Sequence, residues 1–111
     1  MQIIAASSND LDKKVIFNMI EGASSNKMSD SVGEVIELKA WIIYETEDSK
    51  GNQVTALAVQ EPNGIISSTI SETFIRQFNK IRAFMGEDPF NIRVVSGTSK
   101  NGRQYITCEV V

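Results

Sequence analysis

The sequence predicts a mostly β domain with a single helix, and three observations carry that expectation. Runs rich in Val, Ile, Thr and aromatic residues alternate apolar and polar positions, the period of strands. Short polar stretches containing glycine, "DSKGN", "EPNG" and "SKNGR", separate those runs as hairpin turns do. The apolar spacing changes once, at Phe74, Phe78, Ile81 and Met85, to the stripe of one helical face.

The elements follow in order. Residues 34–44, "EVIELKAWIIY", are too β-branched and aromatic for a comfortable helix, and Gly33 breaks the chain before them. Alternation puts Ile36, Leu38, Ala40 and Ile42 on the core face, and Val35, Glu37, Lys39, Trp41 and Ile43 on the other. Residues 45–53 form a polar turn with Lys50-Gly51-Asn52 at its tip, and residues 54–60 return as a second strand. Pro62 presets φ in the turn that leads to a third strand at 65–70. Thr69 with Glu72, or Ser71 alone, caps the helix start, Gly86 fits its end, and Arg76, Lys80 and Arg82 lie on its outer surface. A fourth strand at 90–95 and a fifth at Gln104–Val110, with Ile106, Cys108 and Val110 inward, complete the chain. Three strands, a helix, then a closing hairpin is the layout of a five-stranded OB-fold barrel, although SH3-like barrels and small α+β sandwiches compete. Barrel closure also removes exposed sheet edges. The expected division is an N-terminal extension, 1–32, packing on a barrel domain, 33–111. Within the extension "LDKKVIFNMIEG" reads either as a helix from Asp10 or as a strand from Val15 to Ile20, with Val15, Ile16, Phe17 and Ile20 against the barrel. "ASSNKMSDS" has the composition of a loop.

Composition narrows the function. A chain of 111 residues holds one core, and 41% hydrophobic with 23% charged residues is ordinary for a globular domain. No apolar stretch approaches the length of a membrane span, and "MQIIAASSND" lacks the regions of a secretory signal. Cys108 is the single cysteine, which excludes an internal disulfide and suits a reducing cytoplasm. With no histidine and one thiol, neither a metal site nor a histidine-based nucleophile is expected. No cofactor and no enzymatic activity are expected either.

The formal charge of −3 is distributed unevenly. Residues 1–50 hold five lysines and nine acids (5 − 9 = −4), whereas residues 51–111 hold six Lys or Arg and five acids (6 − 5 = +1). An anion-binding surface is therefore expected in the second half. OB-folds bind on the face of their second and third strands, flanked by the loops joining strands one and two and strands four and five. The latter loop, residues 96–103, carries Lys100 and Arg103, with Gly97 and Gly102 allowing close backbone approach. A plain solvated hairpin is the competing reading. The former loop, with Glu45, Glu47 and Asp48, repels phosphate, so affinity has to come from base stacking on aromatic rings. Trp41, Tyr44 and Tyr105 are the candidate rings, each with half-buried packing as its alternative. Arg93, on the fourth strand, is the further candidate for a phosphate.

Taken together, "VIFN" at 15–18, "VGEVIELKAWIIY", "NGIISSTIS" and above all "VVSGTSKNGRQYIT" make the chain resemble the small single-stranded DNA-binding proteins of phages infecting Gram-positive bacteria, in particular protein-primed phages. The resemblance implies an OB-type fold that coats single strands during phage genome replication, with little sequence preference. It assigns base contact to the strand-ending Tyr44, while "IISSTIS" has serines where a family tyrosine could stand. The combined expectation is that Trp41, Tyr44 and Tyr105 stack bases while Arg93, Lys100 and Arg103 follow phosphates. Phage replication proteins and further copies of the chain are the candidate protein partners. The alternative is a small phage-encoded barrel that binds a protein, as an assembly or host-inhibition factor. The acidic balance favours that alternative and the basic hairpin tip disfavours it.

Overall fold

The computed structural model describes residues 2–8, 11–21 and 26–111. Along the chain come β1 (Gln2–Ala6), α1 (Lys13–Glu21), β2 (Asn26–Lys27), a 3-10 turn (Met28–Ser31), β3 (Val35–Ile36) and β4 (Ala40–Glu47). They are followed by β5 (Gln53–Gln60), β6 (Ile66–Thr69), α2 (Glu72–Met85), β7 (Ile92–Thr98) and β8 (Gln104–Val110). The strands form two open sheets, ordered β1-β4-β5-β6-β2 and β3-β7-β8, rather than one closed five-stranded barrel. The fold is β-dominated, as read from sequence, but among the described residues it carries two α-helices instead of one.

The apolar run at 34–44 is not a continuous strand, and its break divides the sheets. Its first part, β3, pairs with β7 at Val35↔Arg93 and Ile36↔Ile92. The backbone then leaves the ladder: the Leu38 N–H donates to Asn91 Oδ1 (3.2 Å) and the Lys39 N–H to the Gln60 carbonyl (2.9 Å). From Ala40 the chain pairs with β5 instead, Ala40↔Gln60 through Glu47↔Gln53. Crossing between sheets shifts the side-chain parity by one residue. Ile36 and Leu38 therefore share the main core with Trp41 and Ile43, while Ala40, Ile42 and Tyr44 face the other way. The expectation that Trp41 sits on the face away from the core is thus corrected.

The main core lies between the sheets and α2. Phe74, Phe78, Leu57, Val59, Ile92 and Val94 are fully buried there, and Ile75 and Ile81 nearly so. The stripe read from sequence is the buried face of α2. Ser71 caps the helix, its Oγ accepting from the Phe74 N–H (3.2 Å), and the Gly86 N–H closes the other end on the Arg82 carbonyl (3.0 Å). Thr69 Oγ1 in turn accepts from the Ser71 N–H (3.0 Å), which orients the cap. Phe90 precedes β7 instead of belonging to it and packs half-buried against Phe78, ring centroids 5.9 Å apart. Val110 points to the α2 side as expected, but near the sheet's end it remains 48% exposed.

A second apolar layer lies on the opposite face of β4, β5 and β6. Alpha-helix α1 covers that face, burying Met19 completely and packing Val15, Ile16 and Ile20 against Ala40, Ile42, Tyr44, Ala56, Ala58 and Ile66. Asp12 starts this helix, accepting at Oδ1 from the Lys14 N–H (2.8 Å) and at its carbonyl from the Ile16 N–H (3.0 Å). The expected start at Asp10 and the first part of the expected loop, residues 23–25, lie outside the described residues. Phe17 does not pack as expected: it is 64% exposed, on the helix side away from the sheet. The flanking segments occupy both edges of the sheet, β1 antiparallel to β4 and β2 parallel to β6. Because β4 has apolar layers on both faces, Ile42, Ile43 and Tyr44 are buried in succession.

Candidate nucleic-acid interface

The β7–β8 hairpin presents one face to the core and one to solvent. Ile92 and Val94 with Cys108 turn inward, while Arg93↔Glu109, Val95↔Thr107 and Gly97↔Tyr105 are paired across the outward face. Gly97 is therefore a strand residue and not part of the turn, which corrects its expected role. A Cβ at this position would collide with the Tyr105 ring, lying within 2.8 Å of Cε2 and nearer still to Cζ and the hydroxyl oxygen. Glycine lets the ring lie flat across the neighbouring backbone, and 38% of the tyrosine remains open to solvent. An aromatic ring held this way on a sheet face is a platform for a planar ligand.

Beyond this platform the strands end in a tight turn. The Gly102 N–H donates to the Ser99 carbonyl (2.9 Å) and the Ser99 N–H to the Arg103 carbonyl (2.8 Å), with Ser99 Oγ accepting from the Arg103 N–H (3.2 Å). Gly102 takes φ +79°, the left-handed position that closes a three-residue hairpin loop. The turn leaves Lys100 and Arg103 exposed at the tip. Arg93 lies on the same outward face, its Nη1 3.0 Å from Glu109 Oε1 in an exposed cross-strand pair. Such a pair contributes about 1 kcal/mol or less, so the guanidinium can exchange partners at small cost. The structure thus places Arg93 and Tyr105 on one face and Lys100 and Arg103 at its end.

The other two rings lie elsewhere. Trp41 is half-buried on the core side of β4, edge-on to Phe78 (centroids 5.2 Å apart, planes at 79°), with the Arg82 guanidinium 5.1 Å from its ring centre. It borders a cleft of about 320 Å³ formed with Leu38, Lys39, Arg82 and the 86–90 connection. That connection leads into the start of β7, whereas the basic turn follows its end, a strand length of roughly 20 Å at about 3.3 Å per residue. Arg82, read from sequence as outer surface, is in fact held by the indole and by Asn79, whose Oδ1 accepts from Nε (2.7 Å). No spacing in the sequence distinguishes it from the other helix cations.

Tyr44 is on the opposite side of β4 beneath α1, 6% exposed. Burial, and secondarily the Glu21 carboxylate, push its hydroxyl above the ordinary tyrosine range, so it stays protonated at neutral pH. The face of β5 and β6 expected to be open is therefore overlaid by α1, which packs with Tyr44, Ala56, Ala58 and Ile66. The turn expected at 45–53 is shorter, residues 48–52: Glu45 and Glu47 belong to β4 and Gln53 to β5, and with Gln2 they border an acidic cleft. Among the described residues no group of histidine, cysteine and acidic side chains is arranged to hold a metal. Burial pushes the Cys108 thiol from 9.0 up to about 12, so it is no nucleophile.

The family model described as phage single-stranded DNA-binding protein matches residues 3–111, almost the whole chain. The chain belongs to this family. No curated protein and no solved structure matches it. Family membership makes single-stranded DNA the ligand and binding to it the activity. Among the described residues no helix is long and apolar enough to cross a membrane.

Proposed function

We propose that this phage single-stranded DNA-binding protein coats unpaired strands during phage DNA replication in the host cytoplasm, and that it grips them on the outward face of the β7–β8 hairpin. The observation that carries the reading is Tyr105 lying flat over Gly97, in line with Arg93 and next to the Lys100 and Arg103 turn. A base stacked on that ring contributes about 1–3 kcal/mol whatever its identity, which suits binding with little sequence preference. The three cations follow the phosphates on either side. With a net charge of −3 the chain has little long-range attraction for DNA, so stacking dominates. In this reading Trp41 serves packing, because Phe78 and Arg82 already engage its ring.

The arrangement is read as an opened OB-type fold. A bent first strand, β3 with β4, is shared by both sheets, α2 stands between the third and fourth strands of residues 33–111, and before that module α1 overlays the larger sheet while β1 and β2 extend its edges. Further copies along the strand and phage replication proteins are the partners in keeping with coating.

The test is fluorescence anisotropy of labelled oligo-dT and of a duplex of equal length across a salt series. Binding of the single strand should exceed that of the duplex by at least tenfold. Tyr105→Ala should weaken it by about 1–3 kcal/mol. Lys100→Gln and Arg103→Gln should each lower the salt slope by about 0.7. Equal affinity for single strand and duplex, or a Tyr105→Ala variant that binds like the parent, would overturn the reading.

A further inference from the structure

Two phenylalanines stand outside both cores. Phe84, near the end of α2, is 88% exposed, whereas Phe17 on α1 is the exposed ring already described. Beside Phe84 lies a small apolar hollow of about 190 Å³, lined by Gln77, Lys80, Ile81, Met85 and Val110, a size that takes one aromatic ring. Exposed apolar side chains grouped in this way mark an interaction surface. The two rings stand on opposite sides of the molecule, because α2 packs on one face of β4 and β5 and α1 on the other.

The charges beside each ring match those beside the other. On α1, Lys13, Phe17 and Glu21 follow one another at four-residue spacing along the exposed side, and on α2 so do Lys80 and Phe84. The exposed Glu87 and Asp88 come directly after α2, where the last helical carbonyls add negative charge. With the two helices antiparallel and Phe17 against Phe84, Glu21 meets Lys80 one turn away, and Lys13 meets the acidic end of α2. With the helices parallel, Lys13 meets Lys80 and Glu21 meets the acidic end, like charge against like. Among the described residues Lys13, Glu21 and Lys80 have no salt-bridge partner of their own, so all three are available. A contact of α2 with its own counterpart would relate two copies by a two-fold axis, which reverses the direction of a strand running across both. Two different surfaces in contact keep that direction and can repeat without closing.

We infer that copies of this chain join head to tail along a single strand, the Phe17 ring of one seated in the hollow beside Phe84 of the next, with Glu21 against Lys80. The placing along DNA rests on the single-strand binding proposed above, whereas the contact between copies stands apart from it. Each patch is a handful of side chains, well below the roughly 1,200 Å² that stable pairs bury. The contact is therefore weak between free copies. It becomes populated when one strand holds neighbours at an effective concentration of about a millimolar.

Sedimentation velocity of the full chain at submillimolar concentration tests the contact without DNA. The average mass of the parent should rise steadily with concentration and not stop at a dimer. Phe17→Ser and Phe84→Ser, checked for folding by a thermal melt, should each run as monomers. Their equimolar mixture should form pairs and nothing larger, since each variant keeps one intact surface. Glu21→Lys and Lys80→Glu should each abolish association, and the two together in one chain should restore it. On DNA, an oligo-dT that holds several copies should bind the parent about tenfold more tightly per copy than one that holds a single copy, and Phe84→Ser should bind both lengths alike. A parent that stays monomeric and binds both lengths alike would overturn the inference and leave the hollow to a foreign partner. Association that survives Phe17→Ser, the mark of α2 pairing with its counterpart, would overturn it too, as would charge variants that do not rescue each other. Loss of all oligo-dT binding with association intact would remove the hairpin reading and leave the contact between copies standing.

Discussion

Replacing Gly97 by alanine separates a stacking platform from a decorative tyrosine. Gly97 lies in β7 with no positive φ, so its backbone accepts a side chain, and Gly→Ala within a strand ordinarily gains about 0.5–1 kcal/mol from reduced unfolded-state freedom. The added methyl would overlap Cζ, Cε2 and the hydroxyl of Tyr105, the free end of an exposed side chain that can swing away. Lost contact between ring and glycine opposes the backbone gain, and the net stability change should stay within about 1 kcal/mol, a Tm shift of a few degrees. Affinity should respond differently. If the flat ring stacks a base, tilting it forfeits most of about 1–3 kcal/mol, centred near a tenfold rise in Kd. Since no cation is removed, the salt slope should not change. Adding Gly97→Ala to Tyr105→Ala should cost nothing more, because both act on one ring. Anisotropy at fixed salt and a thermal melt read all of this. Parent-like affinity in Gly97→Ala, or equal further loss in the double variant, would refute the platform.

Other outcomes follow from the same structure. Glu109→Gln releases Arg93 from its cross-strand partner; oligo-dT binding should tighten about two- to threefold with a salt slope steeper by about 0.7, and an unchanged slope would remove Arg93 from the phosphate path. Trp41→Ala strips an edge contact from Phe78 and a cation–π partner from Arg82; urea unfolding should show a loss of about 2–3 kcal/mol, with affinity of the folded protein within twofold of the parent. Cys108, buried with its thiol held at about 12, should resist thiol reagents at pH 8 until the chain unfolds. Its native state retains a proton that the unfolded thiol loses above about 9, so stability present below that pH should decline between about 9 and 12, with Tyr44 shifted in the same sense. Ser71→Ala removes the side-chain acceptor at the start of α2 and should cost about 1 kcal/mol in a melt.

Local chemistry made much of the fold readable. The stripe Phe74, Phe78, Ile81 and Met85, the Ser71 cap and Gly86 bound α2 because a helix's period and ends are set by residues within a few positions of each other. The same holds for the glycine turn at Lys100 and the inward placing of Cys108, since a hairpin's register follows from its loop. In residues 13–21 the pairs Val15, Ile16 and Met19, Ile20 already repeat at four, so α1 was legible, but its β-branched content read equally as strand.

What the sequence alone determined is the β-rich class, the position of α2, the basic hairpin tip and, through its ordered motifs, the family. Only the tertiary structure decided which side each ring takes. Trp41 turned inward because the chain crosses from one sheet to the other between Leu38 and Ala40, and a step of one residue reverses every later side chain. Tyr44 was covered by a helix more than twenty residues earlier in the chain, and Lys27 came beside Ser68 through a parallel pairing. Contacts between segments so far apart leave no periodic trace in either one, because each segment's pattern records only whether a face is buried and not what buries it.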